Sequence, residues 1–417
     1  MFLRIMWIIL KECLFFVWHQ DKSNMQVNIF KQLADVNIFY VKMFQAISCN
    51  TELFSSKVTN ALIEYTDNAP YTDDDIDFSF VGDLEENDIY LDNETPINSG
   101  VIALVFTASK LDNNGNKLDE RYVIKAKRRN IEERLRVSIN EMSMFIYFIS
   151  WLPYLNKLNL VDVFEENIQS IRDQVDFMKE CQNTEYIQKL NKRIDYIVIP
   201  NVYPEYTKEN PNIIVMDYIK GTRLVDILPE DKETYCEILA KFSIKCIFFD
   251  GVYHGDMHQG NLIFLKDESD DPNDKADYKV AAIDYGITGS LTREEQNYFY
   301  EFIKLATNDQ IYEAAKLMLN RITEPKSILA NLSIPDEIEI VNDISNLIKE
   351  AFIQNNQITP HDIYLISNLL SKKKLKLARY FCKVQLAYMI NEGVCTSLST
   401  DKPFMQFIKE IIKENFD

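Results

Sequence analysis

Glycine is scarce in this chain, with 10 among 417 residues. Six of the ten fall at 221, 251, 255, 260, 286 and 289, so one stretch needs close backbone approach or unusual dihedrals that the rest does not. Cysteine is sparse and unpatterned: seven, at 13, 49, 181, 236, 246, 382 and 395, with no Cys-x-x-Cys pair. That excludes a disulfide framework and a zinc site of ordinary spacing, and it fits a reducing, intracellular compartment. Positive charge is also in deficit, 45 Lys and Arg against 64 Asp and Glu for a net charge of −19. A surface this acidic repels phosphate backbones, which excludes nucleic acid as a partner. Two local clusters run against the trend. One is Lys125, Lys127, Arg128 and Arg129; the other, Lys372, Lys373, Lys374, Lys376 and Arg379, reads as a solvated helix face.

Long apolar runs are missing too. Residues 1–18, MFLRIMWIILKECLFFVW, are interrupted by Arg4, Lys11 and Glu12 and are too short and charged for a comfortable membrane span. No small-residue cleavage site follows. Three readings stay open for this segment, in this order: a helix packed on the body of the protein, an interfacial membrane anchor touching a lipid surface, and a span.

What is present is ordinary for a folded soluble protein: 47% hydrophobic and 26% charged residues, on a chain long enough for two lobes. The pattern divides it into an apolar helix (1–23), a helical N-terminal extension (24–95), a strand-rich lobe interrupted by helices (96–218) and a helical lobe with the glycine-rich loops (219–417). INSGVIALVFTASKL and LDERYVIKAK read as strands joined by an Asn114-Gly115 hairpin. Helical periodicity returns over 130–152 and 161–191, IVIPNVYP and NIIVMDYI read as further strands, and 231–250 as an apolar-striped helix. From Thr292 onward nearly everything reads as helix, punctuated by Pro325, Pro335, Pro360 and Pro403. The class is α+β.

The strongest chemical signal is VYHGDMHQGNLIF, residues 252–264. Phosphoryl transfer needs a carboxylate to orient the acceptor and oxygen ligands to hold Mg²⁺ on the nucleotide. Asp256 and Asn261 have the kinase spacing Asp-x-x-x-x-Asn, and a loop that brings both into one cleft suits Gly255 and Gly260. KVAAIDYGITGS follows, a buried strand ending in Asp284-Tyr285-Gly286, a variant of the kinase metal-binding Asp-Phe-Gly. Asp284 stands 23 residues after Asn261; alone the tripeptide is weak, and in that position it is strong. The third signal is Lys125 in YVIKAK, since a lysine in an apolar strand is unfavourable unless its charge is used. Kinases use such a lysine on the α- and β-phosphates while a helix carboxylate pins it. Glu180 in DQVDFMKECQN is the candidate, with an ordinary solvated helix acid as its competitor. NIIVMDYIKGTRL resembles a kinase hinge, with Met216 behind the adenine and backbone groups of Asp217 and Ile219 on its edge; a plain core strand is the alternative. No GxGxxG precedes Lys125 and no Walker A motif occurs. In place of the glycine loop stands Ile97-Asn98-Ser99-Gly100.

Together these residues resemble the UbiB family of atypical protein-kinase-like proteins, from about residue 25 to the C-terminus. The family's His-Ala-Asp-Pro-His-Pro-Gly-Asn is matched by HGDMHQGN, its lysine segment by VIKAKRRNIEE, and its Glu-Ala-Ala-Asn by ECQN at 180–183. A helical insertion of the family's kind fits the gap between Lys125 and Glu180. The resemblance implies a bilobal protein-kinase-like fold and an ATP- and Mg²⁺-dependent kinase or ATPase linked to lipid or isoprenoid-quinone metabolism. Asp256 is then the catalytic carboxylate, Lys125 and Glu180 the phosphate-binding pair, and Asn261 and Asp284 the metal ligands. Ser99, Gly100, Met216, Asp217 and Ile219 contact the nucleotide. The family's Lys-x-Gly-Gln gating motif appears as Lys42-Met43-Phe44-Gln45, with Phe for Gly. Its Glu-x-Asp appears as Gln174-Val175-Asp176, with an amide for one carboxylate. Two other readings stay open. His254-Gly255 also matches aminoglycoside- and choline-kinase-like phosphotransferases, and the altered Phe44, Gly100 and Gln174 positions suit a nucleotide-binding pseudokinase scaffold.

Overall fold

The structure, a computed structural model, describes residues 2–19, 21–36, 40, 69–112, 114–151, 160–267, 277–398 and 402–416. The chain divides into two compact units, Met1–Glu185 with Asn201–Tyr218, and Tyr186–Pro200 with Ile219–Asp417.

The first unit is built on a five-stranded antiparallel sheet. Its long strands Ala103–Leu111 and Lys117–Lys127 lie side by side, flanked by Ile89–Leu91 and Asn98–Ser99 on one edge and Ile213–Asp217 on the other. The hairpin between the long strands forms where Asn114-Gly115 predicts it. Asp112 Oδ1 accepts from the Asn114 and Asn116 amides at 2.8 Å each, and Gly115 takes a left-handed φ of 78°, where a side chain would be strained.

Strand alternation sorts the side chains onto two faces. Leu104, Phe106, Ile124, Ile213 and Val215 point to a core closed by Phe80 and Leu84. Ile214 and Met216 point the other way, toward Phe177 and the helix Ile131–Ser150. That helix buries Ile131, Leu135, Ile139, Met142 and Ile146, one stripe at helical spacing. Lys125 falls on this second, helix-covered face. The helix Phe2–His19 buries Ile5 and Ile8 in the same core and exposes Trp7, Leu10 and Leu14. Among the described residues no helix is long and apolar enough to cross a membrane.

The second unit gathers the helices Arg293–Thr307, Ile311–Arg321, Ile334–Lys349, Pro360–Ser371, Arg379–Ser397 and Phe404–Phe416 around one hydrophobic core. Their starts are legible in sequence. Thr292 with Glu295, and Thr359 with Asp362, form capping boxes, and Pro335 and Pro360 sit in first turns, where the missing N–H costs nothing. Two small sheets carry the loops of interest. One orders Ile197–Val198, Asp277–Ala282 and Leu262–Asp267; the other pairs Val252–His254 with Thr288–Ser290.

Several elements differ from the sequence reading. The helix expected over 231–250 is α-helical only over Lys232–Ile244 and widens into a π-helical turn, Lys245–Asp250. The helical stretch 161–191 is broken into Leu160–Asp173 and Phe177–Asn191. IVIPNVYP gives just Ile197–Val198 and an isolated bridge at Val202, because Pro204 starts a short helix. The strand before Asp284 ends at Ala282. A short ladder, Thr323–Glu324 with Lys376–Leu377, interrupts the C-terminal helices; two residues per strand are too few to show a period.

Candidate active site

Lys125 lies in mid-sheet, registered against Val105 on one side and Ile214 on the other. Its Nζ donates to both carboxylate oxygens of Glu180, at 2.6 and 2.9 Å. The Lys125 side chain is 16% exposed and that of Glu180 only 3%. Phe177, one turn before Glu180 on the same helix, places its ring 5.6 Å from the Lys125 ammonium, a distance at which the ring face attracts a cation. Removing either partner would take the counter-charge from a buried ionised group. Asp176 caps this helix: its Oδ1 accepts from the Lys179 amide at 3.0 Å, which satisfies an orphan donor of the first turn.

Ser99 and Gly100 form the turn that replaces a glycine-rich loop. Arg128 holds it. This buried guanidinium donates to the Gly100 carbonyl at 3.0 Å, to Ser99 Oγ at 2.8 Å and to the carboxylate of Asp75 at 3.1 Å. Ser99 Oγ in turn donates to the Ala69 carbonyl at 2.7 Å. The Ser99 hydroxyl is therefore engaged inside the unit. The basic cluster at 125–129 is likewise engaged within the unit, with Lys127 on Glu132 at 2.7 Å and the exposed Arg129 on the Ile76 carbonyl at 2.6 Å.

Met216 is buried near the end of the strand Ile213–Asp217. Asp217 donates its backbone N–H to the Asn201 carbonyl, and its carboxylate accepts from Asn201 Nδ2 and the Tyr203 hydroxyl at 2.6 and 2.8 Å. Its amide and side chain are thus engaged locally. Ile219 opens the second of the two segments that make up the second unit.

In the second unit, Asp256 and Asn261 sit on one irregular loop. Asn261 Nδ2 donates to the Asp256 carbonyl at 2.9 Å, and the Gly260 amide donates to His258 Nδ1 at 3.1 Å. His258 Nε2 lies 3.8 Å from Asp256 Oδ1. Arg223 braces the loop from outside through the Gly260 carbonyl at 3.0 Å. Gly255 is required by space: a Cβ there would meet Ile287 Cγ2 at 2.7 Å. Asp284 follows on the neighbouring segment, its Oδ1 accepting from the Gly286 amide at 2.9 Å. The backbone ties the two segments, since Ile283 N–H donates to the Asn261 carbonyl and Gly255 N–H to the Ile287 carbonyl. Asp256, Asn261 and Asp284 therefore occupy adjoining backbone.

His254 sits at the centre of this arrangement. Its Nδ1 accepts from the Asp256 amide at 3.2 Å, and its ring packs against Tyr285, 5.0 Å between centroids. Burial is the largest influence on its titration and pushes the imidazole below its usual value, outweighing the Asp284 and Asp256 carboxylates, which pull the other way. A neutral His254 can accept from the loop without adding charge beside the two acids.

Of the gating candidates, Lys42 and Gln45 lie outside the described residues. Gln174 and Asp176 fall in the turn between two helices, where Asp176 makes the cap already described. Sequence reasoning missed this cap, although Asp before an apolar helix start is a legible signal. It also missed the Arg128 anchor, whose partners come from 28 to 59 residues away.

The model of the ABC1 atypical kinase-like domain matches residues 83–318. Among curated relatives, the probable protein kinase UbiB of Cronobacter sakazakii is 25% identical over 366 residues, covering 81% of this chain and 64% of the relative. That of Providencia stuartii is 27% identical over 290 residues, covering 66% and 50%. The chain thus spans about half to two thirds of these relatives' length. The solved Rv3197–erythromycin complex from Mycobacterium tuberculosis shares the fold, with a TM-score of 0.50 at 17% identity over 95% of this chain and 98% of that one. The matched segment contains Lys125, Glu180, Asp256, Asn261 and Asp284, and the chain belongs to the ABC1 (UbiB) family of atypical kinase-like proteins.

Proposed function

We propose that the chain is an ATP- and Mg²⁺-dependent kinase or ATPase of the UbiB type, acting in lipid or isoprenoid-quinone metabolism. The observation that carries this reading is the Lys125–Glu180 pair. A buried ion pair adds little net stability over apolar side chains of the same size, so a mid-sheet lysine oriented by a carboxylate is best accounted for by use of its charge. Lys125 is assigned to the nucleotide phosphates, and Glu180 fixes its direction.

Asp256 is assigned to the acceptor hydroxyl or water, orienting it and taking its proton. Asn261 and Asp284 fit a hard cation: both offer side-chain oxygen, on adjoining segments held by backbone hydrogen bonds. The Asn261 amide nitrogen is engaged on the Asp256 carbonyl, which leaves Oδ1 as its ligating atom. Mg²⁺ held there would neutralise charge developing on the phosphates. The exposed Trp7, Leu10 and Leu14 share one face of the N-terminal helix, which supports contact with a lipid surface.

The helices Ile131–Ser150 and Leu160–Asp173 fill the interval between Lys125 and Glu180. An aminoglycoside- or choline-kinase-like reading does not require that insertion. The test is ATP hydrolysis by the purified chain, with and without liposomes, beside Asp256→Asn. We expect Mg²⁺-dependent turnover that the substitution removes. No turnover, together with no thermal shift on adding Mg-ATP, would refute the reading; nucleotide binding with turnover indifferent to Asp256→Asn would favour the scaffold.

A further inference from the structure

Arg128 follows directly on the strand Lys117–Lys127 and is 2% exposed. A guanidinium has five N–H donors, and here each has an acceptor. Nε donates to the Gly100 carbonyl at 3.0 Å and Nη2 to Ser99 Oγ at 2.8 Å, both in the turn that replaces a glycine-rich loop. The other three reach the segment 69–75: the Pro70 carbonyl at 2.9 Å, the Asp75 carboxylate at 3.1 Å and the Ala69 carbonyl at 3.3 Å. One buried cation thus joins two stretches of backbone that are about 30 residues apart in sequence.

A second set of bonds joins the same stretches. Ala69 N–H donates to the Ser99 carbonyl at 2.8 Å, and Ser99 Oγ returns its proton to the Ala69 carbonyl at 2.7 Å. Arg129 N–H donates to the Asp75 carbonyl at 2.8 Å, and Arg134 Nη1 to Asp75 Oδ1 at 2.6 Å. The turn itself is closed by Gly100 N–H on the Ala103 carbonyl and Arg128 N–H on the Ile102 carbonyl, 2.9 Å each. Shifting Ser99–Gly100 would therefore break bonds to Arg128. Undocking the segment 69–76 would leave a buried guanidinium with unmet donors and no Asp75 counter-charge, which is unfavourable.

The turn is close in register to Lys125. Asn98 stands opposite Val105, and Val105 opposite Lys125, so two strand spacings, about 10 Å, separate the start of the turn from the lysine. A buried guanidinium is an unfavourable device for stability alone, but its planar fork fixes one backbone geometry. We infer, resting on the nucleotide reading above, that Arg128 is a positioning residue for the nucleotide. It holds Ser99–Gly100 in the geometry that receives the phosphates, and does so only while the segment 69–76 is docked on it. Nucleotide binding and docking of that segment then stabilise each other, because coupling between two equilibria is reciprocal.

The test is amide hydrogen exchange of the full chain with and without Mg-ATP, beside calorimetric titration of Mg-ATP into the wild type, Asp75→Asn and Arg128→Lys below their unfolding temperatures. Mg-ATP should slow exchange at Ala69 and Arg129, whose amides span the junction. The slowing should exceed that at Gly115, whose amide bonds to Asp112 at the far end of the strand Ala103–Leu111. Asp75→Asn removes the counter-charge and Arg128→Lys removes the fork. Each should weaken Mg-ATP binding by about two- to thirtyfold, the range in which residues outside a ligand's own contacts shift coupled binding. A purely structural staple would leave both the affinity and the exchange difference unmoved. If the wild type does not bind Mg-ATP, the nucleotide reading falls and this inference with it. If it binds, and Ala69 and Arg129 slow no more than Gly115 or the folded variants bind as tightly as the wild type, Arg128 alone loses its role. The wild-type exchange comparison decides even if a variant does not fold.

Discussion

In the first unit the charged residue of interest stands on regular strand backbone and is fixed by a partner 55 residues away. In the second, the acids stand on irregular backbone and are fixed by neighbours within a few residues: Gly286 for Asp284, Asn261 and His254 for the Asp256 backbone. The first arrangement is stiff and depends on a long-range pair. The second spreads its support over several short hydrogen bonds, each replaceable. Chemistry and stability should therefore separate in the second unit and be entangled in the first.

The largest effect expected is on chemistry. Asp256→Asn should lower Mg-ATP turnover by about 10²–10⁴-fold, the usual contribution of a positioned general base, with the urea midpoint nearly unchanged. Loss of folding instead would erase the contrast between the units. Lys125→Met should do the reverse: unfolding free energy should fall by roughly 3–5 kcal/mol, because the buried Glu180 carboxylate loses its Lys125 counter-charge. Adding Glu180→Leu should restore most of that loss. A double-mutant cycle that shows no coupling would mean the pair is not what fixes Lys125.

Smaller effects sharpen the comparison. The second unit holds another acid, Glu392, which burial pushes from 4.5 up to about 7, with Gln357 and Tyr388 hydrogen bonds opposing. Between these values the unfolded chain releases a proton that the folded chain keeps. Stability should therefore fall as pH rises from 4.5 through 7 and then level off, a loss on the order of 2–3 kcal/mol. Glu392→Gln should flatten that slope in a pH series of denaturation curves. Asp176→Ala should cost the first unit about 1 kcal/mol through its lost cap. Amide exchange should quicken first at the start of the helix Phe177–Asn191.

Much of this was legible in the chain. The apolar strand around Lys125 singles that lysine out, Asn114-Gly115 gives the hairpin, and the clustering of glycines marks the loops around Asp256 and Asp284. What escaped was long-range or too short to carry a pattern. Nothing near Arg128 announces that its partners include Ala69, Ser99, Gly100 and Asp75; as a sequence it is one more basic residue in a run. The π-helical turn at Lys245–Asp250 looks like helix in sequence because its composition is helical.

The most direct test of the account is a calorimetric titration of Mg-ATP into the wild-type chain, Lys125→Met and Asp284→Asn, below their unfolding temperatures. Lys125 and Asp284 are both proposed to serve Mg-ATP. Saturable binding is expected in the wild type, weakened binding in both variants, and loss of the Mg²⁺ requirement in Asp284→Asn alone. Wild-type protein that does not bind Mg-ATP, or binding indifferent to both substitutions, would contradict it.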